Sequence, residues 1–94
     1  MYIETAKLTL YISHANSLKD KRQVCRSIID KTKQRFNVAI AEVDTQDIIQ
    51  TLTIGIAVVA GDFSHAQNSL DTTIRFIEEN AETDFVRVER GGVS

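Results

Sequence analysis

The spacing of apolar residues changes period along this chain, and that change limits the folds open to it. Ala6, Leu8, Leu10 and Ile12 alternate with Lys7, Thr9 and Tyr11, a period of two that predicts a strand with one buried face. The period then becomes 3.6: Leu18, Cys25, Ile29, Thr32 and Phe36 share one stripe, widened by Val24 and Ile28, which predicts a core-facing helix of about five turns. Residues 38–43 read as a second strand. Residues 48–60, rich in isoleucine, valine and threonine, read as a long third one. Phe63, Ala66, Leu70, Thr73, Ile74 and Ile77 return to helical spacing, and Phe85, Val86 and Val88 form a last short strand.

The punctuation fits this order without proline, which the chain lacks. Ser17 can accept from the backbone near Asp20, and Asp20 puts negative charge in the first helical turn. Asn37 is the expected left-handed stop. Asp44-Thr45-Gln46-Asp47 is turn-like, Gly61 ends the third strand, and Asp62 can cap the second helix. Residues 80–83 are a connector. Residues 1–90 form one domain, and Gly91-Gly92-Val93-Ser94 is expected to be a flexible tail. Each helix has one apolar stripe, so both must cover the same sheet. Right-handed crossovers then give an α+β, ferredoxin-like βαββαβ domain: a four-stranded antiparallel sheet, order 4-1-3-2, with both helices on one face.

Ninety-four residues, 43% of them apolar, are enough for one core and argue against disorder. Cys25 is the only cysteine, so no disulfide forms within the chain and a reducing cytoplasm is expected. The first residues lack a basic start followed by an apolar run, and the longest apolar stretch, 54–60, is far short of a bilayer span. Neither a signal peptide nor a membrane role is expected.

The net charge of −2 hides an asymmetry. Between Ser17 and Phe36 stand seven bases (Lys19, Lys21, Arg22, Arg26, Lys31, Lys33, Arg35) and two acids (Asp20, Asp30), so this segment carries +5 and the remainder −7. On a helical projection Lys19, Arg22, Arg26 and Lys33 fall within about 60° of one another. Such a stripe can hold RNA phosphates or an acidic partner. It can equally be a solvated face whose arginines meet the protein's own carboxylates. The anion-contact set expected here is Ser17, Lys19, Lys21, Arg22, Arg26 and Lys33, with Ser17 contributing free NH groups at a helix N-terminus. The acidic overall balance weighs against a nucleic-acid contact, and no DNA partner is expected.

No catalytic constellation stands in the sequence. Glu42, Asp44, Asp47 and Gln46 could surround a hard divalent cation, but their spacing matches no known calcium loop, and a polar hairpin mouth accounts for them. His14 and His65 sit at element boundaries without a serine or cysteine partner, and Cys25 falls on the apolar stripe, as an inert core thiol does. Glycine occurs only at 55, 61, 91 and 92, so no phosphate-cradling loop is present. An acylphosphatase would need an arginine in the loop after the first strand. Ser13-His14-Ala15-Asn16 has none. Catalysis, cofactor and metal are therefore not expected. Thr53, Gly55, Ala57 and Val59 should face outward on the open side of the sheet beside Lys7, Thr9 and Tyr11. That surface has too few aromatics to stack bases and suits a protein, a second copy included.

Ser17-Leu18-Lys19-Asp20-Lys21-Arg22 resembles the SLKxKR opening of the YlxP-like family, a bacterial domain of unknown function 503. The run from Arg35 through Asn37, Glu42 and Asp44 to Asp47 is similar to its RFNVSVAEVDxQD segment, and Arg75-Phe76-Ile77-Glu78 to its RFIE. The resemblance spans nearly the whole chain. It implies a small, ferredoxin-like, cytoplasmic protein with no established catalytic residue. Its genes often lie beside those of a translation initiation factor and a ribosome-binding factor. Many members carry a tryptophan and a base where Ile49 and Thr51 stand here, and histidine in the place of Thr45. The expectation is a non-enzymatic binding module touching ribosomal RNA or a translation or ribosome-assembly factor through its first helix. The alternative is a homodimeric protein-interaction or small-ligand module with no nucleic-acid role.

Overall fold

Alternation along the central strands sorts side chains between a helix-covered face and an open one. The computed structural model describes every residue except Glu82 and Ser94. The chain runs β1 (Tyr2–Tyr11), α1 (Leu18–Arg35), β2 (Ala39–Glu42), β3 (Thr51–Ala60), α2 (Phe63–Asn80) and β4 (Asp84–Val93). The sheet order is β2-β3-β1-β4 with every neighbouring pair antiparallel, the ferredoxin-like α+β arrangement that the periodicities predict.

Leu8 and Leu10 of β1 and Leu52, Ile54, Ile56 and Val58 of β3 are buried on the face that α1 and α2 close. The helices contribute Cys25, Ile28 and Thr32 from α1 and Ala66, Leu70, Thr73 and Ile77 from α2. The two buried threonines donate their hydroxyls back along their own helices, Thr32 to Ile28 O at 2.7 Å and Thr73 to Ser69 O at 2.8 Å, so neither carries an unmet donor into the core. Both helices start as expected. Ser17 Oγ accepts from Asp20 N at 3.1 Å, and Asp62 Oδ2 accepts from His65 N at 2.9 Å.

Several boundaries differ from the sequence reading. The expected flexible tail is strand as far as Val93: Gly91, Gly92 and Val93 pair with Thr5, Glu4 and Ile3. β1 already extends to Tyr2, so its outer hydrogen-bonding edge there needs a partner, and β4 supplies it. Ser94, the rest of that tail, and Glu82, within the expected connector, lie outside the described residues. Asn37 is not a left-handed stop. Phe36 closes α1 in an extended conformation (φ −131°) with its N–H on Thr32 O, and its ring meets Phe76 of α2 edge-on at 5.3 Å. Holding that ring sends the backbone straight toward β2.

β3 begins at Thr51 rather than at residue 48, because the backbone of 45–50 is engaged elsewhere. Ile12 N donates to Gln50 O, and the Gln50 side chain donates to Ser13 O and Ala15 O. Phe63 is exposed on the first turn of α2 and leans on Tyr2, with ring centroids 5.7 Å apart.

Candidate nucleic-acid interface on the first helix

α1 lies with its Ser27–Lys31 side toward Phe76 and Asn80 of α2. Lys19, Arg22, Arg26 and Lys33 project from roughly the opposite flank, and all four are exposed. Fourteen residues separate the first from the last, so the row extends about 21 Å along the helix. Asp30 is exposed within the same flank and offsets one of the four charges. Among the described residues the ion pairs are Lys7–Asp44, Lys21–Glu42, Arg87–Glu89 and Arg90–Asp71; none takes a cation from the row. The remaining helix bases have other settings: Lys31 borders α2, and Arg35 lies over the Phe76 ring at 5.2 Å.

Two members of the expected contact set belong elsewhere. Lys21 is buried, 1% exposed. Its Nζ donates to Ile48 O at 2.7 Å and to Thr45 O, and stands 3.0 Å from Glu42 Oε2. Two carbonyls and a carboxylate replace the water of a lysine ammonium, so no donor is left for an external phosphate. The contact with Glu42 is poorly aligned as a hydrogen bond, and Oε2 has no other partner, so it acts as charge on charge. Ser17 is also occupied, by Asp20 N. The Asp20 carboxylate in turn accepts from Asn16 N at 3.0 Å, completing a reciprocal cap that places negative charge where a phosphate would sit. The row available to an anion is therefore Lys19, Arg22, Arg26 and Lys33.

The carboxylates around the β2–β3 turn do not converge. Glu42 goes to Lys21, Asp44 goes to Lys7 Nζ at 2.8 Å, and Asp47 is exposed. Among the described residues no three His, Cys, Asp or Glu side chains gather as metal ligands. Asp44 takes a left-handed backbone (φ 55°), which aspartate tolerates, and its carboxylate raises the pKa of Lys7 by hydrogen bond and charge. Burial, then the charge of Glu42, pushes the Cys25 thiol up to about 11 against an opposing pull from Lys21, so the thiol stays protonated. His14 and His65 are exposed at element ends.

The Lys21 clamp escaped the motif reading, although a signal for it was present. On the helical projection Lys21 falls between Ile28 and Cys25, inside the apolar stripe. A cation in that position must find acceptors inside the fold.

Six elements in this order, with both helices on one face and a row of four exposed bases on the first, define a ferredoxin-like α+β domain with a cationic helix flank. The chain belongs to the protein family of unknown function DUF503, whose model matches residues 3–90. It is 33% identical over 79 residues, 84% of this chain and 86% of the other, to the uncharacterized protein YlxP of Bacillus subtilis (strain 168). Among solved structures it is similar to a de novo designed protein with ferredoxin fold, at a TM-score of 0.57 and 17% identity over 100% of this chain and 86% of that one. It is also similar to the de novo designed protein Foldit4, at a TM-score of 0.56 and 12% identity over 99% of this chain and 96% of the design. These two likenesses concern the fold alone. No helix among the described residues is long and apolar enough to cross a membrane.

Two separated segments of this chain meet at the clamp: Lys21 comes from Ser17–Arg22, and Glu42 and Thr45 from the run between Arg35 and Asp47. Within Ser17–Arg22, then, Ser17 and Asp20 cap the helix, Lys21 holds the β2–β3 turn, and Lys19 and Arg22 face solvent.

Proposed function

We propose that this chain is a non-enzymatic cytoplasmic binding module whose first helix lies along RNA phosphates, in ribosomal RNA or a translation-associated ribonucleoprotein. One observation carries the reading: Lys19, Arg22, Arg26 and Lys33 form an exposed row, and no carboxylate among the described residues is paired with any of them. A chain of net charge −2 that gathers four cations outside any ion pair, against the one acid Asp30, on one helix flank, while pairing Lys7, Lys21, Arg87 and Arg90 internally, keeps that flank available to a polyanion. The similarity of Ser17–Arg22 to the family opening, and the translation setting that the family resemblance implies, point to RNA as the polyanion. The open sheet face has no pair of stacking aromatics, so contact is with backbone charge rather than with bases.

The test is fluorescence anisotropy with a folded ribosomal RNA fragment at increasing salt. Four phosphate contacts predict that log K falls against log salt with a slope of about −3 to −4. The triple variant Lys19→Glu, Arg22→Glu, Arg26→Glu should lose binding while keeping its circular dichroism. Reversal of Arg90, which is held by Asp71, should change binding little. Absence of binding at about 50 mM salt, or full binding by the triple variant, overturns the proposal.

A further inference from the structure

The two edges of the sheet differ. β2 is four residues long, whereas β4 runs ten residues along the outer side of β1. α2 packs chiefly on β1 and β3, and residues 87–92 of β4 are all exposed. The direction of the backbone groups on this edge follows from the ladder. Ile12 N bonds Gln50 O on the β3 side, so alternation along β1 turns the groups of Lys7 and Thr9 the other way, toward Glu89 and Arg87. The N–H and C=O of Val88, between those two, therefore point away from the sheet. The Val88 side chain lies opposite Leu8, on the helix side, yet is 43% exposed. It borders a groove of about 240 Å³ shared with Asp71, Ile74, Arg75, Glu78 and Arg90. Arg87 and Glu89 stand on the open side of the sheet, 3.4 Å apart.

We propose that a second copy of the chain adds its own β4 to this edge, antiparallel and centred on Val88, joining the two four-stranded sheets into one. An edge with outward donors and acceptors takes a strand, and three observations make that strand β4 itself. The first is charge complementarity. With Val88 opposite Val88, Arg87 of each copy faces Glu89 of the other, at the cross-strand distance where opposite charges attract. Outward groups alternate along the edge, so the register shifts by two residues at a time. The nearest shifts set Arg87 against Arg87 or Glu89 against Glu89, and a further one sets Arg90 against Arg90, so each opposes like charges. The second observation is apolar. The same register brings the two exposed Val88 side chains together beside Ile74, whereas sliding toward the C-terminus would put Val88 opposite Arg90 or Gly92. The third is that Arg90, the remaining charge on the helix side, is drawn back onto Asp71. A two-fold axis perpendicular to the sheet relates the copies and keeps both helix layers on one side. The β-bulge opposite Thr9 and Leu10 interrupts regular pairing beyond Arg87, so the contact is short and below the size of a stable interface. The dimer is accordingly weak, with a Kd of about 100 µM.

Sedimentation of the full chain between about 5 µM and about 1 mM should show a monomer–dimer equilibrium. Glu89→Arg sets arginine against arginine on both sides of the axis and should weaken association about tenfold. Adding Arg87→Glu to that variant reverses both charges and should restore it, with circular dichroism unchanged throughout. Lys19→Glu and Arg22→Glu, on α1, should leave the equilibrium as it is, so this proposal and the RNA reading fail separately. As a second route, a short bis-maleimide should join Val88→Cys copies far more readily than Lys33→Cys copies. A wild-type chain that stays monomeric at the highest concentration, a Glu89→Arg dimer of unchanged affinity, a double variant no tighter than the single one, or equal cross-linking at both sites overturns it.

Discussion

A lysine ammonium removed from water costs several kcal/mol unless acceptors inside the fold replace its hydration. Lys21 has them in Thr45 O, Ile48 O and Glu42. Lys21→Met fills similar volume but strands a half-buried carboxylate and two carbonyls. It should destabilise the domain by about 3 kcal/mol, read as a lower urea midpoint. Glu42→Gln, whose amide oxygen still accepts, should cost less than half as much, about 1 kcal/mol. If Lys21→Met unfolds at the wild-type midpoint, the clamp contributes nothing. The same residue shows what was legible beforehand. Counted as one base among seven, Lys21 belonged with the anion contacts; placed on the projection between Cys25 and Ile28, it belonged to the core. Charge composition does not distinguish a paired cation from a free one, because pairing depends on which turn the tertiary fold brings to the helix. Lys19, Arg22, Arg26 and Lys33 needed no such information, being already grouped by the helical period.

At the scale of elements, the period of two marked β1, the period of 3.6 marked both helices, β-branched composition marked β3, and Ser17 and Asp62 marked both helix starts. The ends were harder to read. Gly91 and Gly92 look like a loose terminus, since glycine adds no packing and little strand propensity. They are ordered by pairing with Thr5 and Glu4, a long-range contact that no local window contains. A Cβ at Gly92 would press on Ile3 O and make the Glu4 carboxylate swing aside. Removing residues 91–94 should therefore destabilise the domain by about 1–2 kcal/mol through lost ladder hydrogen bonds. A loose tail would leave the melting temperature unchanged. β3 was read three residues too long for the converse reason: residues 48–50 have strand-forming side chains, but their backbone and the Gln50 amide are committed to Lys21 and to the β1–α1 loop.

At the scale of the whole molecule, one core lies between one sheet and two helices, so unfolding should be a single cooperative transition. The chain contains no proline, and peptide-bond isomerisation, which takes tens of seconds, is essentially confined to proline. Refolding from urea, followed by stopped-flow circular dichroism at low concentration, should therefore complete without a phase on that timescale. A slow phase independent of protein concentration would contradict this.

The placement of β1 has a consequence for how the domain comes into being. It is the first strand in the chain yet lies between β3 and β4, the two strands made later. On a translating ribosome β1 emerges with neither neighbour available, and one side of it stays open until β4 has cleared the exit tunnel. Vectorial synthesis thus delays closure of the sheet until β4 has been made, and until then the nascent polypeptide shows its own middle as an edge.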